Sequence, residues 1–117
     1  MNSVELAKRI VTLADERKAE DPLILDLRDI TIVADCFVLL TGTSRPHVLS
    51  ISSYVEQELA KEKILPQQRE ADQDARWVLL DYGNVVVHVF QQDTRLFYNL
   101  ERLWGDAQRV PLESSGV

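Results

Sequence analysis

The sequence carries a single cysteine, Cys36, which excludes an internal disulfide framework and any metal site built from several thiolates. Cys36 sits in "ADCFVLL", with no cation or helix start beside it, and reads as an inert core thiol. Long apolar runs are missing too: none approaches the ~20 residues needed to span a bilayer. The opening "MNSVELAKRIV" mixes charges into its apolar positions, so no secretory signal is expected and a cytoplasmic address is the default. Basic charge is in short supply, with 13 Lys and Arg against 19 Asp and Glu and a formal net charge of -6. That balance argues against a protein that holds RNA or DNA mainly by neutralising phosphates, and it suits a partner with a basic surface. The two histidines, His47 and His88, have no ligand-type spacing and no thiolates to join them, so no metal site is expected.

What is present is an ordinary globular composition, 45% hydrophobic and 27% charged over 117 residues, enough for one domain with one core. "NSVELAKRIVTLADERKA" has helical periodicity in Val4, Ala7, Ile10, Val11 and Ala14, with Asn2 and Glu5 at capping-box spacing. Pro22 marks its limit. "LILDLRD" alternates as a strand, and "CFVLLTG" is a continuous apolar run that suits a central strand covered on both faces. "TSRPHVLSISSYVEQELAKEK" predicts a second helix, with Ser44 as N-cap, Pro46 in the first turn, and Val48, Ile51, Val55 and Leu59 facing inward. Residues 64–75 are a polar connection with a short strand expected near Gln67 to Glu70.

"WVLLD" and "VVVHVF" flank "YGN" and predict a hairpin turning at Gly83 and Asn84. "TRLFYNLERLW" predicts one last helix, capped by Asp93 or Thr94, with Leu96, Phe97, Leu100, Leu103 and Trp104 on its apolar stripe. The expectation is therefore an α/β fold: a single mixed sheet of four to five strands with three packed helices, in one domain over residues 1–105. Periodicity ends at Gly105, so residues 106–117 are expected to form a loose tail.

The hairpin raises the functional question. Pairing Asp81 with Val85 would put Trp77, Leu79, Val87 and Val89 on one face and Val78, Leu80, His88 and Phe90 on the other. Neither face is polar, so helices cover both or part of the sheet is left for another molecule. His88 is either a packed neutral imidazole or a polar contact in an apolar patch, and Trp77 is either core or contact. Tyr82, at the turn, is expected to be exposed. Arg95 and Tyr98 share one edge of the last helix, and tyrosine, tryptophan and arginine are the residue types that anchor interfaces.

Signals for catalysis are weak. "TGTSR" follows a strand and precedes a helix, but a phosphate-binding loop needs further glycines and a lysine. A nucleotidyltransferase would need paired carboxylates on the next strand to hold Mg²⁺; no D-x-D follows on a strand, and Asp72 and Asp74 fall in a polar loop.

Taken together, "LDLRDITIVADCFVLLTGTSRPHV", then Glu70 seven positions ahead of "WVLLDYGNVVVHVF", then "RLFYNLERLWGDA", resemble the iojap family of ribosomal silencing factors over about residues 5 to 107. The resemblance implies a nucleotidyltransferase-like fold without the catalytic acids. It implies binding to large-subunit ribosomal protein number fourteen, steric blocking of subunit joining and repression of translation, with no cofactor and little direct nucleic-acid contact. Family members also occur as dimers, so a second copy of the chain is a further candidate partner. The matching positions are Trp77, Asp81, Tyr82, His88, Arg95 and Tyr98, with Glu70 nearby. Trp77 and Tyr98 are expected to supply apolar contact area, and Asp81 and Glu70 to meet basic side chains. The family often has Glu-Gly where this chain has Glu70-Ala71, which puts the local loop shape in question. A nucleotidyltransferase-like enzyme and an RNA-binding ribosome biogenesis factor are the alternatives.

Overall fold

A computed structural model describes residues 1–112. Helix α1 (Ser3–Asp15) starts at Asn2, whose side-chain oxygen accepts the Glu5 backbone N–H at 2.8 Å. Strand β1 (Glu20–Asp26) follows, then β2 (Cys36–Gly42), which is buried at every position. Helix α2 (Arg45–Lys61) is capped by the Ser44 hydroxyl, which accepts from the His47 N–H, with Pro46 in the first turn as its fixed φ allows. A Cβ on Gly42 would lie 2.9 Å from the backbone nitrogen of Val48, so the close entry of α2 requires glycine there. Strands β3 (Gln68–Ala71), β4 (Trp77–Asp81) and β5 (Val85–Gln91) come next, followed by short helices α3 (Gln92–Tyr98) and α4 (Leu100–Leu103) and strand β6 (Gln108–Arg109).

The strands form one sheet in the order β3-β4-β5-β2-β1-β6, antiparallel throughout except for the parallel pair β2 and β5. The two most apolar runs of the sequence lie side by side at its centre, where both faces are covered. α1 and α2 close one face over Ile24, Val38, Leu40, Leu80, Val87 and Val89. The opposite face carries Leu25, Phe37, Leu39, Val86 and Phe90, joined by Trp77, Leu79, Leu100 and Trp104. The Cys36 thiol is fully buried, and burial raises its pKa to about 11, as an inert core thiol requires.

The structure corrects five expectations. The sheet has six strands rather than four to five. The sixth comes from the segment expected to be a loose tail: Gln108 and Arg109 pair with Asp26 and Leu25, and the Val110 N–H donates to the Ile24 carbonyl at 2.9 Å. A two-residue strand has no periodicity to read, and the open edge of β1 supplies the reason for it. The remainder of that segment, residues 113–117, lies outside the described residues.

The last helix is two. Asn99 adopts a left-handed conformation (φ 48°, ψ 60°), ends α3, and accepts the Arg102 N–H with its side chain to start α4. Asparagine is among the few side chains that take this region at low cost. Among the described residues no side chain caps α3, which begins directly after β5, so neither Asp93 nor Thr94 plays the expected part.

The hairpin register is shifted by one. Tyr82 donates to the Val85 carbonyl around a two-residue turn, and Trp77 lies opposite Phe90, Leu79 opposite His88 and Asp81 opposite Val86. Gly83 alone in the turn has a positive φ, 88°, the pattern of a II′ turn. A one-residue slip exchanges the faces, so Trp77 joins His88 and Phe90 rather than Val87 and Val89. Finally, Ala71 sits in β3 without a positive φ, so alanine in place of the family's frequent glycine distorts nothing; the left-handed residue of this connection is Ala75 (φ 50°).

Candidate partner-binding surface

Because side chains alternate along a strand, β3 and β4 turn Gln68, Glu70, Trp77, Leu79 and Asp81 to the face opposite α1 and α2. The C-terminal segment covers this face only in part: Trp104 packs edge-on against Phe37, and Tyr98 packs against Trp77 at 4.8 Å between ring centroids. The β3–β4 side is left open, with Trp77 and Leu79 half-buried and Glu70 exposed.

Trp77 is the centre of this area. Its indole Nε1 donates to His88 Nδ1 at 3.0 Å, and its ring lies 4.9 Å from that of Phe90. The turn before it is tied by Asp72, whose carboxylate accepts the Arg76 N–H at 2.7 Å. A groove of about 490 Å³ is lined by Asp72, Arg76, Trp77, Asp93, Thr94, Phe97 and Tyr98. A second depression, about 290 Å³, is lined by Glu70, Ala71, Asp72, Trp77 and Leu79. Trp77 borders both, and Glu70, Asp72 and Asp93 give the area an acidic rim. Phe97 (80% exposed) and Tyr98 (52%) add aromatic surface on α3.

Four of the seven residues singled out from sequence thus meet on one open face: Glu70, Trp77, Asp81 and Tyr98. Asp81 is half-buried, and one carboxylate oxygen is committed to the Gly83 N–H at 2.7 Å.

The other three are buried. Tyr82, expected at the surface, is buried among the residues under α2 because the corrected register turns it to the helix face. Its hydroxyl has no partner among the described residues, and burial pushes its phenol up to about 12. Arg95 is also buried. Its Nη1 donates to the Asp21 carbonyl at 2.7 Å and to Thr41 Oγ1 at 2.8 Å, and its Nε to Glu101 at 3.2 Å, so it fastens α3 to the sheet.

His88 is 4% exposed and forms the floor beneath Trp77, boxed by Phe37 and Phe90. Since Nδ1 accepts the indole N–H, the ring is neutral with its hydrogen on Nε2, and burial alone lowers its pKa to about 4. That Nε2 has no partner among the described residues, a cost of about 1–3 kcal/mol. The other histidine is structural: His47 Nδ1 accepts the Thr43 N–H and Nε2 donates to the Arg17 carbonyl, each at 2.8 Å, joining α2 to the end of α1.

Of the apolar stripe expected on a single last helix, Leu96, Phe97 and Leu103 are exposed, Leu96 at 71%. Asn99 divides that stripe between α3 and α4, and Asn-Leu inside an apolar run is the faint signal for the break. Asp72 and Asp74 show no arrangement beyond their own turn, where Asp74 pairs with Arg76 at 3.1 Å. Among the described residues no group of three His, Cys, Asp or Glu side chains is placed to hold a metal ion, and no helix is long and apolar enough to cross a membrane.

The structure is a small α/β domain whose mixed sheet has one helix-covered face and one partly open aromatic face, and comparison with known proteins gives the family. The family described as ribosomal silencing factor during starvation matches residues 1–116. Ribosomal silencing factor RsfS of Halalkalibacterium halodurans is 41% identical over 113 residues, covering 97% of each chain. The Bacillus subtilis protein of the same name is also 41% identical, over 97% of this chain and 96% of its own. Protein Iojap, chloroplastic, of Arabidopsis thaliana is 34% identical over 94% of this chain and 44% of its own length. A crystal structure of a Chromobacterium violaceum protein superposes with a TM-score of 0.86 at 27% identity, covering 100% of this chain and 97% of that one. A Bacillus halodurans crystal structure gives 0.78 at 37% identity over 93% and 96%. The chain belongs to the iojap family of ribosomal silencing factors, as the motifs around Asp35, Trp77 and Trp104 indicated.

Proposed function

We propose that this protein represses translation by binding large-subunit ribosomal protein number fourteen and so keeping the small subunit off the large one. The observation that carries this reading is the Trp77–Tyr98 aromatic pair, open to solvent, resting on a buried core and rimmed by Glu70, Asp72 and Asp93. Aromatic side chains held rigidly beside carboxylates suit a basic protein surface: the rings take apolar stems and guanidinium planes, and the acids take the charge. The net charge of -6 speeds encounter with such a target and disfavours direct phosphate contact. A standard interface of ~1,600 Å² is enough to exclude a competing subunit. In this reading the protein acts in the cytoplasm by occlusion, without catalysis or cofactor, and the nucleotidyltransferase-like framework serves only as a scaffold. Trp77, Tyr98, Asp81 and Glu70 touch the partner, while His88 and Arg95 support them from beneath and Tyr82 packs under α2.

The decisive measurement is a pull-down with the single purified ribosomal protein, run beside naked ribosomal RNA and followed by a subunit-joining assay on sucrose gradients. Retention by the protein alone, with fewer joined ribosomes, is the expected result. Binding only to naked RNA with a steep salt dependence would replace this reading with an RNA-binding role. A ligand-induced rise in Tm with magnesium nucleotide would point to an enzyme instead.

A further inference from the structure

Resting on that reading of the surface, we propose that His88 is a positioning residue for it: by accepting the Trp77 indole N–H at 3.0 Å, its Nδ1 holds the ring in the orientation that meets the partner. His88 does not itself touch the partner, because it is 4% exposed and lies under Trp77.

The argument starts from what the position needs. His88 stands at the centre of the sheet between Leu39 on β2 and Leu79 on β4, with Phe37 and Phe90 packed against its ring. A phenylalanine or leucine would fill such a place without polar atoms. The histidine instead leaves Nε2 buried with no partner among the described residues. What it provides in exchange is an acceptor facing Trp77, which no hydrocarbon side chain supplies.

Trp77 needs that acceptor more than a core tryptophan would. It is half-buried and borders two open depressions, so its ring is packed by Phe90 and Tyr98 but not enclosed. Tyr98 is itself 52% exposed and sits on the last turn of a seven-residue helix, a soft support. Among the described residues, the hydrogen bond to His88 is the one directional contact that ties the indole to the rigid centre of the sheet. Fixing an aromatic anchor before binding lowers the ordering cost of association.

The test uses the full chain with His88→Phe, which keeps a planar aromatic ring and removes the acceptor, and His88→Asn, whose side-chain oxygen occupies the Nδ1 position. Indole N–H exchange of Trp77 is followed by NMR, with Trp77→Phe assigning the resonance, and affinity for purified large subunits is measured in parallel. Expected for His88→Phe is exchange of the Trp77 indole proton about tenfold faster and affinity about tenfold weaker, the equivalent of one ordinary hydrogen bond. His88→Asn should recover part of both. Unchanged indole protection in His88→Phe overturns the proposal, as does a freed indole with wild-type affinity while Trp77→Ala binds weakly. If Trp77→Ala itself binds at full strength, the surface reading fails, and the exchange data then report only on the indole bond. Should His88→Phe not fold, His88→Leu and His88→Asn make the same comparison, acceptor absent against acceptor present.

Discussion

Arg95 on α3 donates to Thr41 on β2 at 2.8 Å, 54 residues away in sequence, with the same Nη1 also 2.7 Å from the Asp21 carbonyl. This contact anchors the short helix that carries Tyr98, one turn further on, against the end of the sheet. Arg95→Ala leaves Glu101, Thr41 and the Asp21 carbonyl without their donor, and it should cost about 2–4 kcal/mol of stability by urea unfolding. Arg95→Lys should recover only a fraction, since an ammonium cannot reproduce the spread of a guanidinium. A loss of binding without loss of stability would instead make Arg95 a contact residue.

Trp77→Ala combined with Tyr98→Ala should leave the circular dichroism spectrum and cooperative melting in place while abolishing co-sedimentation with isolated large subunits. Both side chains are partly solvent-exposed, so the fold survives their loss, and buried aromatic anchors typically carry about 2 kcal/mol or more of binding each. Full binding by the folded double variant would remove this face from consideration.

Stability should fall with acid through His88. Its pKa is lowered to about 4 in the folded protein from an ordinary 6.5, because burial disfavours the imidazolium. The unfolded chain therefore takes up a proton that the folded chain refuses, and the stabilisation present above pH 6.5 is lost as pH falls to about 4. The loss amounts to about 3 kcal/mol at most. Urea midpoints between those limits should fall steeply for the wild type and less steeply for His88→Phe. Parallel slopes for the two would remove His88 as the source.

Tyr82→Phe removes a buried hydroxyl that has no partner among the described residues. It should be neutral or stabilising by up to about 1 kcal/mol, with ribosome binding unchanged. A sharp drop in binding would restore Tyr82 to the surface set.

Asn99→Gly and Asn99→Ala separate the two roles of the helix break. Glycine keeps the left-handed backbone but loses the cap to Arg102, whereas alanine loses both. Alanine should lower stability by about 1–2 kcal/mol, and glycine by less. An equal loss for both would make the cap the whole effect.

The sequence by itself determined most of the scaffold, because its signals are local. Asn2 and Ser44 cap their helices through short-range geometry, Gly83 turns the hairpin through its own φ, and the apolar runs of β2 and β5 can only be stable at the centre of a covered sheet. The motifs around Trp77 also sufficed to indicate the family. Only the tertiary structure decided which of these residues reach solvent. Hairpin register depends on which pair closes the turn, Tyr82 with Val85 here, and that one-residue choice sends Tyr82 under α2 and Trp77 onto the open face beside His88. Arg95 and Tyr98 share an edge in any helical projection, but Thr41 and Asp21 draw the arginine inward while the tyrosine remains outside. β6 exists because β1 offers it an unpaired edge, a partner that no stretch of the last dozen residues announces. Burial of a polar side chain is settled by what packs across from it, and that information is spread over distant parts of the chain.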